Sequence, residues 1–397
     1  MKRLLSFILP LFFLLSSCGR QIPATDTPTE SPAVATESLG PVIYTQSSQA
    51  VEQRIEDLLA RMTLEEKIGQ MTQVEKNSIK PGDITKYYIG SILSGGGGSP
   101  AENTVQAWYA MVEGFQKEAL ATRLQIPIIY GVDAVHGHGN LLNATVFPHN
   151  IGLGAANNPE LMVKIGRATA EEMLATGIPW NFAPVVAVVQ DVRWGRTYEG
   201  YGEETELVTS LGTAYLKGLQ TLKEEDDSVP GQSIFVLATP KHFIGDGATI
   251  WSSSRTDDYE LDQGNMQVPE ELVRKLYLPP YESAVEAGAM NVMASFSSWK
   301  GIKMHGQPYL LTKVLKDELG FSGFIVSDWQ GMDQIYPDDY YASIVTSINA
   351  GVDMNMVPYD YVTFIETMKQ AVNNGDIPES RVDEAVRRIL RVKFTLG

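Results

Sequence analysis

Short apolar runs alternate along the chain with longer segments in which apolar residues recur at helical spacing. Short runs of branched and aromatic residues are typical of buried strands, and the helical spacing indicates amphipathic helices. The predicted strands are residues 89–93, 126–132, 180–183, 234–238, 291–295, 324–326 and 352–356. The predicted helices between or after them are residues 159–175, 203–222, 269–287, 361–373 and 379–392.

Two helices are predicted before this alternation begins. Val51, Ile55 and Leu58 recur at helical spacing, and Thr63 followed by Glu66 is the capping-box pattern that opens a helix. Strand–helix alternation predicts an α/β fold with a parallel sheet. In a chain of 397 residues we expect that sheet to close as a (β/α)8 TIM barrel rather than to remain open and doubly wound. We expect one catalytic-type domain and no second domain.

Polar and aromatic residues follow several predicted strands. In chain order they are Asp133, Arg193, Arg196, Lys241, His242, Trp299, Asp328 and Trp329, and the last predicted strand contains Asp353. The C-terminal ends of barrel strands meet at one mouth, where the active sites of this fold form. Because clustered charges are costly unless they pair or bind a polar molecule, the pattern predicts a ligand site at this mouth.

The mixture of side chains favours a carbohydrate as the ligand. Sugar hydroxyls need hydrogen-bond donors and acceptors, and the apolar face of a sugar stacks on aromatic rings. Hydrolysis at a glycosidic carbon needs a carboxylate that attacks or stabilises an oxocarbenium-like centre. Asp328, at the end of a buried-looking strand and beside Trp329, is the candidate for that role. The alternative is that Asp328 caps the following helix, as aspartates at strand ends often do.

Composition and charge exclude several other classes of protein. With 44% hydrophobic residues the chain can bury a core, and its net charge of −17 argues against nucleic acid or an anionic membrane surface as a partner. The four glycines at 95–98 lack the lysine and hydroxyl of a phosphate-binding loop. The G-x-S-x-G pattern of serine hydrolases does not occur.

A metal site is the remaining alternative for the histidine-rich stretch. His136 and His138, with His149 and Asp133 in the same region, have the side-chain types that bind divalent ions. A histidine pair at i, i+2 in a glycine-rich loop is a weak signal, however, and we expect neither a metal nor another cofactor.

The N-terminus predicts export. Lys2 and Arg3 precede the apolar residues 4–15, and Leu15-Ser16-Ser17 leads to the single cysteine, Cys18. This pattern resembles a bacterial lipoprotein signal in which Cys18 is lipidated, the alternative being an ordinary secretory signal. We therefore expect a signal peptide at 1–17, a flexible Thr/Pro/Ser-rich tether at 18–48 and the barrel domain at 49–397. The protein would be lipid-anchored to a bacterial membrane, on its periplasmic or cell-surface side.

Several longer motifs resemble those of glycoside hydrolase family 3, in its β-D-glucan exohydrolase and β-glucosidase branch. They are YGVDAVHGH at 130–138, FPHNIGLG at 147–154, RWGR at 193–196, KHFIGDG at 241–247 and SDW at 327–329. The resemblance extends over about residues 51–397. It implies a retaining exo-β-glucosidase that releases glucose from the non-reducing ends of β-linked glucans or oligosaccharides.

The resemblance also implies roles for particular residues. Asp328 matches the nucleophile that forms the covalent glycosyl-enzyme intermediate, and Trp329 matches an aromatic that stacks on the next sugar. The residues that match those holding the innermost sugar are Asp133, Arg196, Lys241 and His242. Met293 and Phe296, in the stretch beside the nucleophile, are also expected at the substrate, although the family commonly has a tyrosine where this chain has Phe296. No metal or organic cofactor is implied.

The general acid/base residue is the largest departure from the family pattern. In this branch a glutamate of a second, C-terminal α/β sandwich domain has that role, and we expect this chain to lack that domain. Glu199, Glu203 and Glu204 are potential substitutes, the alternative being that they are the acidic residues common at a helix N-terminus. A separate chain is a further potential source of the glutamate.

Two functions therefore remain open from the sequence. The first is a β-glucosidase-type hydrolase that depends on a proton donor from outside this chain, and the second is a surface lipoprotein that binds β-glucan ends without hydrolysing them. A β-N-acetylhexosaminidase is a weaker alternative, because the stretch after Gly247 lacks the Asp-His loop of that branch.

Overall fold

The computed structural model describes residues 40–223, 226, 232–256 and 258–397. Residues 1–40 and 41–397 are separate units, and all that follows concerns the second. Cys18, the predicted signal peptide and most of the predicted tether lie outside the described residues. At the end of the tether segment, the backbone N–H groups of Ile43 and Tyr44 donate to the Asp57 carboxylate at 2.8 and 3.0 Å.

A curled parallel sheet forms the centre of the domain. The strands are β1 (Thr72–Glu75), β2 (Ser91–Ser94), β3 (Ile129–Val132), β4 (Trp180–Asn181), β5 (Leu237–Ala238), β6 (Asn265–Met266), β7 (Asn291–Met293), β8 (Ser298–Trp299), β9 (Ile302–Lys303), β10 (Phe324–Val326) and β11 (Asn355–Met356). Six of them pair in the order β11-β1-β2-β3-β4-β5, β10 pairs with β7, and β6, β8 and β9 form a small separate sheet. Each predicted strand overlaps one of the parallel strands.

Backbone hydrogen bonds connect the pair β7–β10 to the six-stranded sheet on both sides. On one side the Phe243 N–H donates to the Met293 carbonyl at 2.8 Å. On the other side the Ser327 N–H donates to the Met354 carbonyl at 2.9 Å. The parallel strands therefore curl around a common core, and the segments that follow β3, β5 and β10 lie at one end of it.

β1 was not predicted from the sequence because its residues are mostly polar. All of its side chains are nevertheless buried. Thr72 Oγ1 donates to the Ile68 carbonyl at 2.9 Å, and Gln73 Nε2 donates to Ser91 Oγ at 2.8 Å. Polar residues are tolerated inside this sheet since their hydrogen bonds are made internally.

The helices surround the sheet. They are α1 (Val51–Arg61), α2 (Leu64–Gln70), α3 (Asp83–Tyr87), α4 (Val105–Leu120), α5 (Asn150–Ala156), α6 (Pro159–Ala175), α7 (Thr205–Gln220), α8 (Glu270–Leu272), α9 (Pro279–Glu286), α10 (Tyr340–Ala350), α11 (Tyr361–Asn374) and α12 (Glu379–Thr395). The capping box at Thr63 and Glu66 is confirmed. In the part of the chain that the structure describes, no helix combines the length and the apolar character needed to cross a membrane.

The predicted helix 269–287 is interrupted. Between α8 and α9 the chain forms a π-helical turn, Val273–Tyr277, and the Leu278 N–H reaches back to the Val273 carbonyl at 3.0 Å. Pro279 and Pro280 follow, and neither has an N–H to donate to the preceding turn. The widened turn therefore lies just before the two prolines that cannot continue the hydrogen-bond ladder.

Candidate active site

A cavity of about 570 Å³ opens where the segments after β3, β5 and β10 meet. Most of the predicted site residues line it, namely Asp133, Arg196, Lys241, His242, Met293, Asp328 and Trp329. Phe296 does not line the cavity, and its ring instead lies 5.9 Å from that of His305. The structure thus brings together residues that are nearly 200 positions apart in the sequence, the span from Asp133 to Trp329.

Asp133 and Lys241 form one polar pair of the cavity. Lys241 Nζ donates to Asp133 Oδ1 at 2.6 Å. The Lys241 side chain is 4% exposed and that of Asp133 is 42% exposed, so the ammonium is buried and the carboxylate faces solvent. An acceptor and a donor held side by side match the needs of adjacent sugar hydroxyls.

Arg196 and Glu199 form the second pair. Arg196 Nε and Nη2 donate to the two Glu199 oxygens at 2.7 and 2.8 Å. Burial favours a raised pKa for Glu199, but the hydrogen bonds and charge of Arg196, with the charge of Lys241, lower the pKa of Glu199 to about 2. Glu199 is therefore an ionised partner of Arg196 and is poorly suited to donate a proton at neutral pH.

The hydrogen bonds of His242 define its tautomer. Arg196 Nη2, which can only donate, lies 3.0 Å from His242 Nε2, so Nε2 is the acceptor. The proton of the neutral ring is then on Nδ1, which lies 2.8 Å from Asp246 Oδ2. Asp246, four residues along in the KHFIGDG motif, thus orients the imidazole that lines the cavity.

Asp328 presents one carboxylate oxygen to this cluster. Its Oδ1 accepts the Trp329 backbone N–H at 2.7 Å, and its Oδ2 lies 3.6 Å from His242 Nε2. The next helical element, the 3₁₀ turn Gly331–Gln334, begins after Gln330 and receives no side-chain cap. Asp328 is therefore a cavity-lining carboxylate, and the helix-cap alternative is wrong.

Trp329 lies against the glycine run at 95–98. A Cβ atom on Gly95 would lie 2.7 Å from Trp329 Cη2, so only glycine allows the indole to come this close. The Tyr359 ring meets the indole edge-on, with centroids 5.6 Å apart. Gly95 and Tyr359 together hold the Trp329 ring at the cavity wall.

The three histidines considered as metal ligands do not meet at one point. His136 and His149 line the cavity with their rings 4.6 Å apart. The His138 ring is instead buried, with Nε2 3.1 Å from Thr176 Oγ1, and burial lowers the pKa of His138 to about 4. Within the described ranges, no group of three or more His, Cys, Asp or Glu residues is arranged to hold a metal ion.

Three further strand-end residues lie away from the cavity. Asp353 precedes β11, is fully buried, and pairs with Lys316 at 2.8 Å and with Arg381 at 2.6 Å. Arg193 is on the surface, where it pairs with Asp191 and lies over the Trp251 ring. Trp299 is buried, and its Nε1 donates to the Val268 carbonyl at 3.0 Å. None of the three lines the cavity, and their inclusion among the residues of the mouth was wrong.

Three residues of the site were not identified from the sequence. Asp246 lies inside the KHFIGDG motif, and Tyr198, which lines the cavity, lies two residues after the RWGR motif. Their position in or near these motifs was the signal available in the sequence. His305, whose Nε2 accepts the Asp328 backbone N–H at 3.0 Å, lies in no motif that we recognised. Glu203 and Glu204 are exposed and do not line the cavity, whereas Glu199 does.

Paired charges, a carboxylate oxygen and an indole thus meet in one cavity at the end of a curled parallel α/β sheet. Residues 63–392 match the glycosyl hydrolase family 3 N terminal domain, and the chain belongs to that family. The resemblance seen in the sequence motifs is thereby confirmed.

Relatives of this chain are considerably longer than it is. It is 34% identical to a lysosomal beta glucosidase of Dictyostelium discoideum, over 86% of this chain and 44% of that protein. It is 30% identical to a periplasmic beta-glucosidase of Salmonella typhimurium, over 88% of this chain and 43% of that protein. The crystal structure of an exo-1,3/1,4-beta-glucanase from a Pseudoalteromonas species superposes with a TM-score of 0.80 at 41% identity, over 90% of this chain and 44% of that one. The chain thus spans less than half the length of these proteins.

Proposed function

We propose that this chain is the nucleophile-bearing part of a retaining, exo-acting β-glucosidase or β-glucan exohydrolase. The observation that carries the proposal is the position of Asp328, whose Oδ2 faces the cavity beside His242 while its Oδ1 is held by the Trp329 N–H. In a retaining mechanism such a carboxylate attacks the anomeric carbon and forms a covalent glycosyl-enzyme. We also infer that the curled sheet closes as a (β/α)8-type barrel.

The proposed substrates are β-linked glucosides or gluco-oligosaccharides. The pairs Asp133–Lys241 and Arg196–Glu199 supply acceptors and donors for the hydroxyls of the terminal sugar, and Trp329 supplies a ring for the next one. The names of the relatives, beta-glucosidase and exo-1,3/1,4-beta-glucanase, support this substrate class.

The proton donor is proposed to come from outside the described residues. Two other carboxylates line the cavity, and both are ion-paired, Asp133 with Lys241 and Glu199 with Arg196. A general acid must be protonated near the working pH, whereas the pKa of Glu199 is lowered to about 2. A glutamate of a further domain or of a separate chain would complete the pair of carboxyls that retention needs.

The ion pairs of Asp133 and Glu199 also support a second candidate function, a surface protein that binds β-glucan ends without hydrolysing them. Loss of general acid catalysis typically costs about 10² to 10⁴ in rate, so binding would persist where turnover is slow. Substrates whose leaving group needs no proton distinguish the two functions.

The test therefore uses 2,4-dinitrophenyl β-glucoside and the full chain. We expect slow release of dinitrophenolate that is abolished in Asp328→Ala, and a fluoro-sugar trapped on Asp328 in the wild type. Asp317→Ala, at an exposed site, is the matched control. Absence of dinitrophenolate release, together with intact glucan binding by Asp328→Ala, would leave only the binding function.

We further propose that the protein is exported and anchored through a lipid on Cys18. The lipoprotein-like sequence at 15–18 supports this, and the periplasmic relative of Salmonella typhimurium supports export. Metabolic labelling with a fatty-acid analogue tests it. Label in the wild type and none in Cys18→Ser is the expected result, and an unlabelled membrane-free wild-type protein would contradict it.

A further inference from the structure

His305 is a buried imidazole that hydrogen-bonds to the backbone of Asp328. Its side chain is 0% exposed, and its Nε2 accepts the Asp328 N–H at 3.0 Å. A ring nitrogen that accepts carries no proton, so the proton of the neutral ring is on Nδ1. Burial, followed by the charge of Lys303, lowers the pKa of His305 to about 3. The ring therefore stays a neutral acceptor at ordinary pH.

The end of β10 explains why this acceptor is needed. The Ser327 N–H donates to the Met354 carbonyl on the β11 side of the strand. Because successive N–H groups point alternately to the two neighbouring strands, the Asp328 N–H points to the β7 side. β7 ends at Met293, and the Asp328 N–H bonds to His305 rather than to a strand carbonyl. The imidazole thus satisfies a donor that lies at the limit of the sheet.

Within the described residues, the imidazole makes a single hydrogen bond, the one to the Asp328 N–H. Among the described residues, His305 Nδ1 has no hydrogen-bond partner, although it is buried. An unpaired buried donor is unfavourable, and an aliphatic side chain of similar size would avoid that cost. The turn after Asp328 also fits the ring, because a Cβ atom on Gly331 would lie 2.3 Å from its Cε1 and Nε2 atoms.

We propose that His305 is a positioning residue for Asp328, fixing the backbone so that Oδ2 faces the cavity. The inference rests on the proposed function, in which Asp328 is the nucleophile. Since Oδ1 is held by the Trp329 N–H, the direction of Oδ2 depends on where the backbone at 328 and 329 lies. Misplacement of a reacting group by about 1 Å costs on the order of 10²-fold in rate.

The experiment compares His305→Leu with His305→Gln in the full chain. Gln has an amide oxygen as many bonds from Cα as His Nε2 and restores an acceptor, whereas Leu has none. The probe is 2,4-dinitrophenyl 2-deoxy-2-fluoro-β-glucoside. In the labelling step Asp328 Oδ2 forms a bond to the anomeric carbon while the bond to the phenolic oxygen breaks. Dinitrophenolate leaves with the electron pair and needs no proton.

We expect His305→Leu to label about 10²-fold more slowly than the wild type, with glucose affinity retained and His305→Gln recovering most of the rate. A wild-type labelling rate in His305→Leu would overturn the proposal. So would a His305→Gln variant as slow as His305→Leu, because the acceptor would then not be what matters. Thermal unfolding of each variant shows whether a slow rate reflects loss of the fold.

An unlabelled wild-type chain would instead mean that the proposed function has failed. The hydrogen bond of His305 is then read separately by ¹⁵N NMR, since the chain has only 5 histidines and His305→Gln assigns the signal. We expect an unprotonated Nε2 and a protonated Nδ1 from about pH 5 to about pH 8. The opposite tautomer, or titration within that range, would overturn the assignment of His305.

Discussion

Arg196 and Glu199 form a two-bond ion pair inside the cavity, at 2.7 and 2.8 Å, and the pair also orients His242 through Arg196 Nη2. Burial lowers the pKa of Arg196, but the Glu199 carboxylate, with Asp328 and Asp246, raises it more, so the pKa of Arg196 lies above its ordinary range. The permanently charged guanidinium of Arg196 thus links the Glu199 carboxylate to the histidine beside Asp328.

We expect Glu199→Gln to destabilise the fold in a pH-dependent way. The pKa of Glu199 falls from an ordinary 4.5 to about 2 on folding, which corresponds to on the order of 3 kcal/mol at about 1.36 kcal/mol per pH unit. Above about pH 4.5 Glu199 is ionised in both states and its contribution is complete. As the pH falls towards 2 the unfolded state binds more protons, and the contribution is lost.

The measurement is urea unfolding of wild type and variant at about pH 7, 4 and 3. The difference in the free energy of unfolding should be largest at neutral pH and should shrink as the solution becomes more acidic. Glu203→Gln is the matched control, because Glu203 is exposed on the same segment and does not line the cavity. A pH-independent difference would show that the ion pair is not the cause.

Lys241→Met should weaken sugar binding without a large effect on the fold. The 4% exposed ammonium is replaced by a side chain of similar length that cannot donate, and Asp133 loses its partner at 2.6 Å. A hydrogen bond to a charged group is worth about 1.5–3 kcal/mol, so we expect roughly 10-fold to 150-fold weaker binding of glucose. Calorimetric titration measures it, with exposed Lys164→Met on α6 as the control. Equal affinities in the two variants would contradict the role of Lys241.

The position of most site residues followed from one regularity in the sequence. Asp133, Lys241 and Asp328 come within three residues after an apolar run. The carboxyl ends of parallel strands must meet at one end of the sheet. Asp353 shows the limit of that reasoning. It lies within an apolar run, but it precedes the N-terminal end of β11, which begins at Asn355. An apolar run alone does not show where the hydrogen-bonded strand begins.

The contacts that orient the site were harder to predict because they join distant segments. His305 and Asp328 are 23 residues apart, and nothing in the residues around His305 indicates a buried acceptor. β1 was missed for a different reason. Thr72 and Gln73 are polar and therefore resemble surface residues in the sequence, although they are buried and make their hydrogen bonds inside the protein. Periodicity detects apolar burial, and it has no signal for polar groups that are satisfied internally.

Asp353→Asn should destabilise the protein by roughly 3–5 kcal/mol, because it removes the fully buried one of the two carboxylates that Lys316 and Arg381 share, the other being Glu384. Asp353 also accepts the Ile325 N–H at 2.8 Å, next to the strand end that carries Asp328. Denaturant unfolding measures the loss. Asp317→Asn, whose side chain is 54% exposed, should change stability by less than about 1 kcal/mol. Similar losses in both variants would refute a special role for the buried cluster.

Gly95→Ala should act on Trp329 alone. The added Cβ would lie 2.7 Å from Cη2 and 2.8 Å from Cζ3 of the indole, which must then move away from the position it holds beside Tyr359. If Trp329 stacks on the second sugar, displacement of the ring removes an aromatic contact worth about 0.5–1.5 kcal/mol, so we expect roughly twofold to tenfold weaker binding of a β-linked disaccharide. Glucose, which does not reach that ring, should bind as before.

Gly96→Ala provides a close control for this prediction. Gly96 is the next residue and also lines the cavity, but a Cβ atom there meets nothing within 4 Å and its φ is not in the left-handed region. Both variants thus add one methyl group to the same loop, and they differ in whether that methyl meets the indole. Calorimetric titration with glucose and with the disaccharide should separate them, and tryptophan fluorescence should change only in Gly95→Ala. Equal losses of disaccharide affinity would mean that the loop, rather than the ring of Trp329, carries the contact.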